Sequence, residues 1–395
     1  MSEFSCAQFS PPVRPCNLPL ARCPVARQNA SHRFLIVLLG AYGDIVMGTP
    51  LIAALRQAYP EAHFTWMVER KHRQAIDANP FLDELLIWES DGWKRLLRRG
   101  RFDRWLARTL ELCWGMRSRR FDVLISFYPE RWAQVTRAAG AGVSIGVFDA
   151  HPRSVPPEHH HVPLYTTAFK KADLPLHRTD IFLTPLRALG LTVTADKRMS
   201  LGYTVEDDEQ VVRFLAEQGL SGVAPLVVVA PQTTWPSKCW PVEHYIRFGE
   251  GLARRRGCHL VLVGSADERS AVETIRDAIR PHPITATGIL SFRELAALIA
   301  RSALVVSGDT APMHMAAAVG TPHLALFGPT SPQRLAPLSG SGLTLSHAVP
   351  CGPCYRKECP LAEGEQLQCL RLISVAEALR AAEILLQGAI PNTSR

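Results

Sequence analysis

Short unbroken apolar runs alternate along this chain with longer stretches of helical periodicity. Phe34 to Leu39 has no polar position, the pattern of a strand covered on both faces. Gly40-Ala41-Tyr42-Gly43-Asp44 follows as a tight turn, and Ile45 to Ala58 repeats with helical spacing. His63 to Val68, Phe81 to Ile87 and Phe121 to Ser126 predict further strands or lead into them. Later come Pro225 to Ala230, His259 to Gly264, Ala303 to Val306 and Leu324 to Phe327. Helical periodicity covers Val205 to Leu220, Phe292 to Ala300 and Val375 to Leu386. Strands that alternate with helices predict an α/β fold with parallel sheets. A change of composition between about Leu189 and Tyr203 divides the chain. We expect a mobile tail over residues 1–31, one domain over 32–195, a second over 196–365 and a C-terminal segment over 366–395.

The densest chemistry lies between Ser307 and Thr330, SGDTAPMHMAAAVGTPHLALFGPT. A strand stops at Ser307-Gly308-Asp309, a helix runs from Met313 to Val319 and ends at Gly320, and a second strand follows. This is a βαβ unit whose polar turn lies at the carboxyl end of its first strand. Free N–H groups at the helix start, from Thr310 to Met313 with Pro312 excluded, suit an anion there. His314 reads equally as a core histidine on the helix.

Three other loops follow strands. Asp44 is either a helix N-cap or a general base, and its position alone leaves both open. Thr233 and Thr234, with Lys238 four residues beyond Thr234, form a phosphate grip or an ordinary strand-to-helix loop. Glu268, after the strand from His259 to Gly264, complements a helix start. Between Trp93 and Arg120 ten Lys and Arg face only Asp103 and Glu111, with Trp93, Trp105 and Trp114 interleaved. The segment reads as a solvated helical face with aromatic anchors, or as a surface for lipid headgroups or acceptor phosphates. Cys351, Cys354, Cys359 and Cys369, spaced C-x2-C-x4-C-x9-C, are either free thiols or a set for structural zinc or iron. His151 and the run His159 to His161 fall in a proline-rich loop unsuited to converging on one ion.

Composition narrows this little. A formal charge of +8 on 395 residues favours anionic partners. No nucleic-acid motif, membrane-length apolar run or signal-peptide pattern is present. Ten cysteines without such a signal fit a reducing compartment.

Asp-Thr-Ala-Pro-Met-His at 309–314, Ala-Ala-Ala-Val-Gly-Thr-Pro at 316–322 and Phe-Gly-Pro-Thr at 327–330 resemble the donor-site signature of glycosyltransferase family 9, the ADP-heptose:lipopolysaccharide heptosyltransferases. Ala311 stands where that family usually has Gly. The resemblance extends with gaps from about Phe34 to the C-terminal helix. It implies a GT-B fold, two Rossmann-like domains facing across a cleft, with the last helix crossing back onto the first domain. It implies that Asp44 is the catalytic base of an inverting transfer of heptose from ADP-heptose to a hydroxyl of the lipopolysaccharide inner core. Thr233, Thr234, Lys238, Glu268, Asp309, Thr310, Ala311, Met313 and His314 would bind the donor, and Lys238 would also offset charge on the departing diphosphate. Lys94, Arg95, Arg98 and Arg99 would meet the phosphorylated acceptor, and the histidine-bearing loop would lie on the acceptor side. The enzyme would be cytoplasmic and peripheral on the anionic inner-membrane face. Neither loop carries Asp-x-Asp, so no catalytic metal or cofactor is expected. Rival readings are a family member with another donor sugar or a protein acceptor, a GT-B nucleotide-sugar epimerase, and a non-enzymatic nucleotide- or metal-binding module.

Overall fold

The computed structural model describes residues 31–127, 138–148, 165–170, 174–193, 196–220, 224–362 and 364–389. The tail with Cys6, Cys16 and Cys23, and the loop with His151 and His159 to His161, lie outside the described residues. In the first half the principal elements are β1 (Arg33–Val37), α1 (Tyr42–Ala58), β2 (His63–Glu69), β3 (Glu84–Trp88), α2 (Ser90–Arg98), α3 (Phe102–Ser118), β4 (Val123–Phe127), β5 (Val143–Phe148), β6 (Thr167–Lys170) and α4 (Arg178–Leu183). The second half contains α5 (Val205–Glu217), β7 (Leu226–Ala230), α6 (Val242–Arg256), β8 (His259–Leu262), α7 (Arg269–Ala278), β9 (Ile284–Thr285), α8 (Phe292–Ala300), β10 (Leu304–Gly308), α9 (Ala311–Val319), β11 (His323–Phe327), β12 (Gly342–Ser346) and α10 (Val375–Ala389).

The strands pair in parallel in two sheets, ordered β3-β2-β1-β4-β5-β6 and β12-β11-β10-β7-β8-β9. Read from β9, the second has the order of the first. Both are doubly wound, and the chain reverses direction between β1 and β4 and between β7 and β10. Loops leaving neighbouring strands diverge at such a point and open a crevice at the carboxyl ends. The apolar runs are continuous because both faces of each sheet are covered. Phe34 and Ile36 bury into one layer with Ile45, Phe64 and Trp66, while Leu35 and Val37 bury into the other with Met67, Met116 and Leu124.

Local signals end the helices where the sequence suggests. Thr204 and Asp207 form a reciprocal capping box at the start of α5. Gly257 and Gly320, at φ 60° and 83°, close α6 and α9 in the left-handed region where a side chain would be strained. The final helix departs from expectation. Ala378, Leu379, Ala382 and Leu386 of α10 are buried in one core with Trp240, Phe248 and Leu252, so it packs on the second sheet rather than crossing back onto the first domain. Its apolar face matches the uncovered face of β10 to β12, and Leu379 sits where a side chain on Gly251 would collide with it.

The halves meet along the starts of α1 and α8. The ring of Tyr42 stacks on Phe292 at 4.2 Å, and the Phe292 N–H donates to Gln74 Oε1 at 3.0 Å. Arg293 bridges Asp77 of the first half at 3.3 Å and Asp207 of the second at 2.9 Å. His177 Nε2 is 2.9 Å from the Ala336 carbonyl across the same boundary, while its Nδ1 accepts the Thr179 N–H at 3.2 Å. The proton of this imidazole is therefore on Nε2.

Candidate active site

The loops after β7 and β10 leave the reversal point of the second sheet side by side. Gly308 lets them touch, because a Cβ there would lie 2.8 Å from the Lys238 carbonyl oxygen and 3.2 Å from Thr233 Cγ2. The Thr233 hydroxyl donates to the Trp235 carbonyl at 2.7 Å and accepts the Trp235 N–H at 3.2 Å, so it shapes the turn. Thr234 beside it is exposed. Lys238 Nζ stands 4.3 Å above the Trp235 ring and 2.6 Å from Asp309 Oδ2, which also accepts the Thr330 hydroxyl at 2.7 Å. This ion pair is largely screened from solvent, and the indole face favours the cation beside it.

Asp309 leads into α9. Thr310 is its N-cap, in an extended conformation, and makes no side-chain capping bond. The N–H groups of Ala311 and Met313 have no acceptor within the helix, and Pro312 has no N–H. The Met313 side chain is buried against Ala325 and Phe327, so only its backbone faces the crevice. An anion at this point meets two N–H groups, the positive end of the helix and Lys238.

The opposing wall is the start of α1. Ala41 is the N-cap, which rules out that role for Asp44; its carboxylate lies in the first turn and pairs with Arg178 Nε of α4 at 3.2 Å. Gly43 abuts the second domain, since a Cβ on it would lie 3.1 Å from His314 Cδ2. His314 is 3% exposed, and its Nδ1 has no hydrogen-bond partner. Burial pushes the pKa of His314 down to about 4, against the pull of the Asp309 and Asp44 carboxylates. One buried imidazole thus lies within electrostatic reach of a carboxylate from each domain. The histidine of α9 is core-like in burial and is also the seam of the crevice.

Other expected residues fall elsewhere. The Glu268 carboxylate accepts the Ser265 N–H at 2.7 Å in a capping box, which commits one of its oxygens to the helix-start reading. Lys94, Arg95 and Arg98 on α2 and Arg99 just beyond it are exposed; Lys94 lies 4.0 Å from Asp91, and the arginines pair with no carboxylate among the described residues. Cys351, Cys354, Cys359 and Cys369 line one cavity of about 340 Å³ with Arg356 and Gln368. Burial pushes the Cys369 thiol up to about 11, and the other three cysteines add to the effect. The Leu367 N–H donates to Cys359 Sγ at 3.4 Å. Four thiols suit zinc or iron by their chemistry. No group of three or more His, Cys, Asp or Glu placed to hold a metal ion is found among the described residues. Arg178 and Thr330 are partners the sequence did not announce. Thr330 lay in the Phe-Gly-Pro-Thr motif without a role, and nothing near Arg178 signals its reach to Asp44.

Two doubly wound domains that face one another across a crevice have the architecture of the GT-B class. Similarity to known proteins agrees: residues 117–364 match the family model described as glycosyltransferase family 9 (heptosyltransferase). The chain belongs to that family and is a glycosyltransferase. It is 29% identical over 295 residues to lipopolysaccharide heptosyltransferase 3 of Escherichia coli K12, covering 72% of this chain and 79% of that one. The crystal structure of a family 9 glycosyltransferase from Veillonella parvula superposes with a TM-score of 0.77 at 24% identity, over 90% of this chain and 98% of that one. The structure of E. coli ADP-heptose lps heptosyltransferase II gives 0.68 at 22% identity, over 90% of this chain and 99% of that one.

Proposed function

We propose that this enzyme transfers a heptose from ADP-heptose to a hydroxyl of the lipopolysaccharide inner core, with inversion at the anomeric carbon. The observation that carries the reading is the close approach of the two walls: Gly43, next to Asp44, abuts His314 of α9, at whose start Asp309 pairs with Lys238. Similarity to lipopolysaccharide heptosyltransferase 3 and to ADP-heptose lps heptosyltransferase II supports this donor and acceptor.

In this mechanism the diphosphate sits on the N–H groups of Ala311 and Met313 and against Lys238. Thr233 fixes the loop, Thr234 offers a hydroxyl to a phosphate oxygen, and the free oxygen of Glu268 accepts from the ribose. Asp309 accepts from sugar hydroxyls, with Thr310 at the helix mouth. The acceptor oxygen attacks the anomeric carbon as the bond to the β-phosphate oxygen breaks, and the electron pair leaves with ADP. Asp44, oriented by Arg178, takes the acceptor proton. Lys238, with the helix start, offsets the growing charge on the leaving group. Lys94, Arg95, Arg98 and Arg99 receive the phosphorylated, lipid-linked acceptor.

ADP release with a defined inner-core acceptor, together with the anomeric configuration of the product by NMR, tests this. The expected result is acceptor-dependent ADP release with inverted product. Turnover of donor alone to a new sugar would favour the epimerase reading, and a retained anomeric configuration would remove single displacement.

A further inference from the structure

Helix α3 is apolar on two sides. Trp105, Leu112 and Met116 turn inward: Met116 is buried with Leu112 against the first sheet, and Trp105 packs edge-on to Trp93 at 6.1 Å. Trp93 stacks on Trp88 at 5.0 Å. Two of the three interleaved tryptophans are therefore anchors. The third is not. Phe102, Leu106, Leu110 and Trp114 are 64%, 51%, 60% and 75% exposed, and each follows the last by four positions. Four residues advance about 40° beyond a full turn, so these side chains cover an arc of roughly 120° away from the packed side. Leu97 at the end of α2 is also exposed.

A helix apolar on both its inner and outer sides lacks a neighbour on one of them. Single exposed leucines are ordinary, but four large side chains aligned over three helical turns are not. The setting of this stripe identifies the missing neighbour. Arg95, Arg98, Arg99, Arg104, Arg117 and Arg120 are exposed around it, and none pairs with a carboxylate among the described residues. A soluble protein partner would need an acidic rim around an apolar centre. An anionic bilayer presents both at once, phosphates at the depth of the guanidinium groups and acyl chains beneath.

We propose that α3 is an interfacial membrane helix. Phe102, Leu106, Leu110 and Trp114 insert among the acyl chains of an anionic phospholipid monolayer, while the surrounding arginines engage its phosphates. This goes beyond a headgroup contact by charge, because part of the attachment resists salt. It rests on the proposed function only in that a lipid-linked acceptor gives the attachment a purpose.

The test is partition onto phosphatidylglycerol–phosphatidylcholine vesicles, by co-sedimentation in ~0.1 M and ~1 M salt, where the screening length falls from about 10 Å to about 3 Å. The intact protein should bind at low salt and retain measurable binding at high salt. Replacing all four stripe residues by Ser should lower partition at least ~100-fold, given the apolar area withdrawn from lipid. The variant's ADP-induced melting shift, and its turnover of a deacylated, water-soluble acceptor, should stay unchanged. As a gentler variant, Trp114→Phe should keep binding but lose the quenching of tryptophan emission by brominated lipid. Unchanged partition of the four-serine variant would overturn the proposal, as would equal quenching in Trp114→Phe. So would a concentration-dependent dimer that the substitutions dissolve without affecting vesicles. Failure of heptose transfer with vesicle binding intact would instead count against the proposed function alone.

Discussion

His314 combines three properties that rarely coincide: full burial, an unpartnered ring nitrogen and two carboxylates within electrostatic reach. Burial favours the neutral ring and outweighs the carboxylates, so its pKa of about 4 lies below the ~6.5 of an exposed histidine. Between those pH values the unfolded chain binds the proton and the folded chain does not. Stability from this residue is complete above about pH 6.5, falls as pH drops towards 4 and levels off below that, a loss on the order of 3 kcal/mol. His72, His177, His244 and His323 are also depressed by burial and act in the same direction. The informative comparison is therefore His314→Gln against the parent. Melting temperatures at pH 7.5 and 5 should differ less in the variant, and an identical pH sensitivity would contradict the assignment. Residue-scale chemistry was only partly legible in the sequence. Glu268 was readable as a helix-start residue, and the structure has it there, in a capping box with Ser265 that the sequence reading did not single out. The Arg178–Asp44 pair was not legible, because it joins positions 134 apart through tertiary packing.

At the scale of elements, the strands and helix ends were readable because a buried parallel strand must be apolar throughout and a helix end must satisfy its own N–H and C=O groups. Phe292–Ala300 appears with the expected bounds, and the apolar run at 34–39 shortens to Arg33–Val37. The destination of α10 was not readable, because an amphipathic face records that it is covered and not by what. The crossing of the β7 and β10 loops at Gly308 is an element-scale feature with a sharp consequence. A methyl group at this position would meet the Lys238 backbone carbonyl, which cannot yield as a flexible side chain would. Gly308→Ala should part the loops, displace Lys238 from Asp309 and weaken ADP binding by roughly 10-fold, about 1.4 kcal/mol. Isothermal titration with ADP measures this, and an unaltered affinity would show that the close approach does not shape the cradle.

For the whole molecule, two sheets of the same strand order place their reversal points at one boundary, and the Tyr42–Phe292 stack and the Arg293 bridge hold the walls there together. Helix starts dominate that boundary: α1 brings Asp44, and α9 brings its free N–H groups and His314. A general fold with loops of particular chemistry at its switch points is thus sufficient to bring a carboxylate, free N–H groups and a cation to one crevice. Among the described residues no helix is long and apolar enough to cross a membrane, and the attachment proposed above runs through the outer side of α3.

Catalysis as proposed depends on Asp44 acting across the crevice on a donor held by the other domain. Its most direct test is Asp44→Asn, with turnover and ADP affinity measured on the same preparation. The expected result is a loss of at least ~100-fold in kcat, as for removal of a general base, with ADP bound as tightly as before. Turnover within a few-fold of the parent, or ADP affinity lost in step with activity, would contradict it.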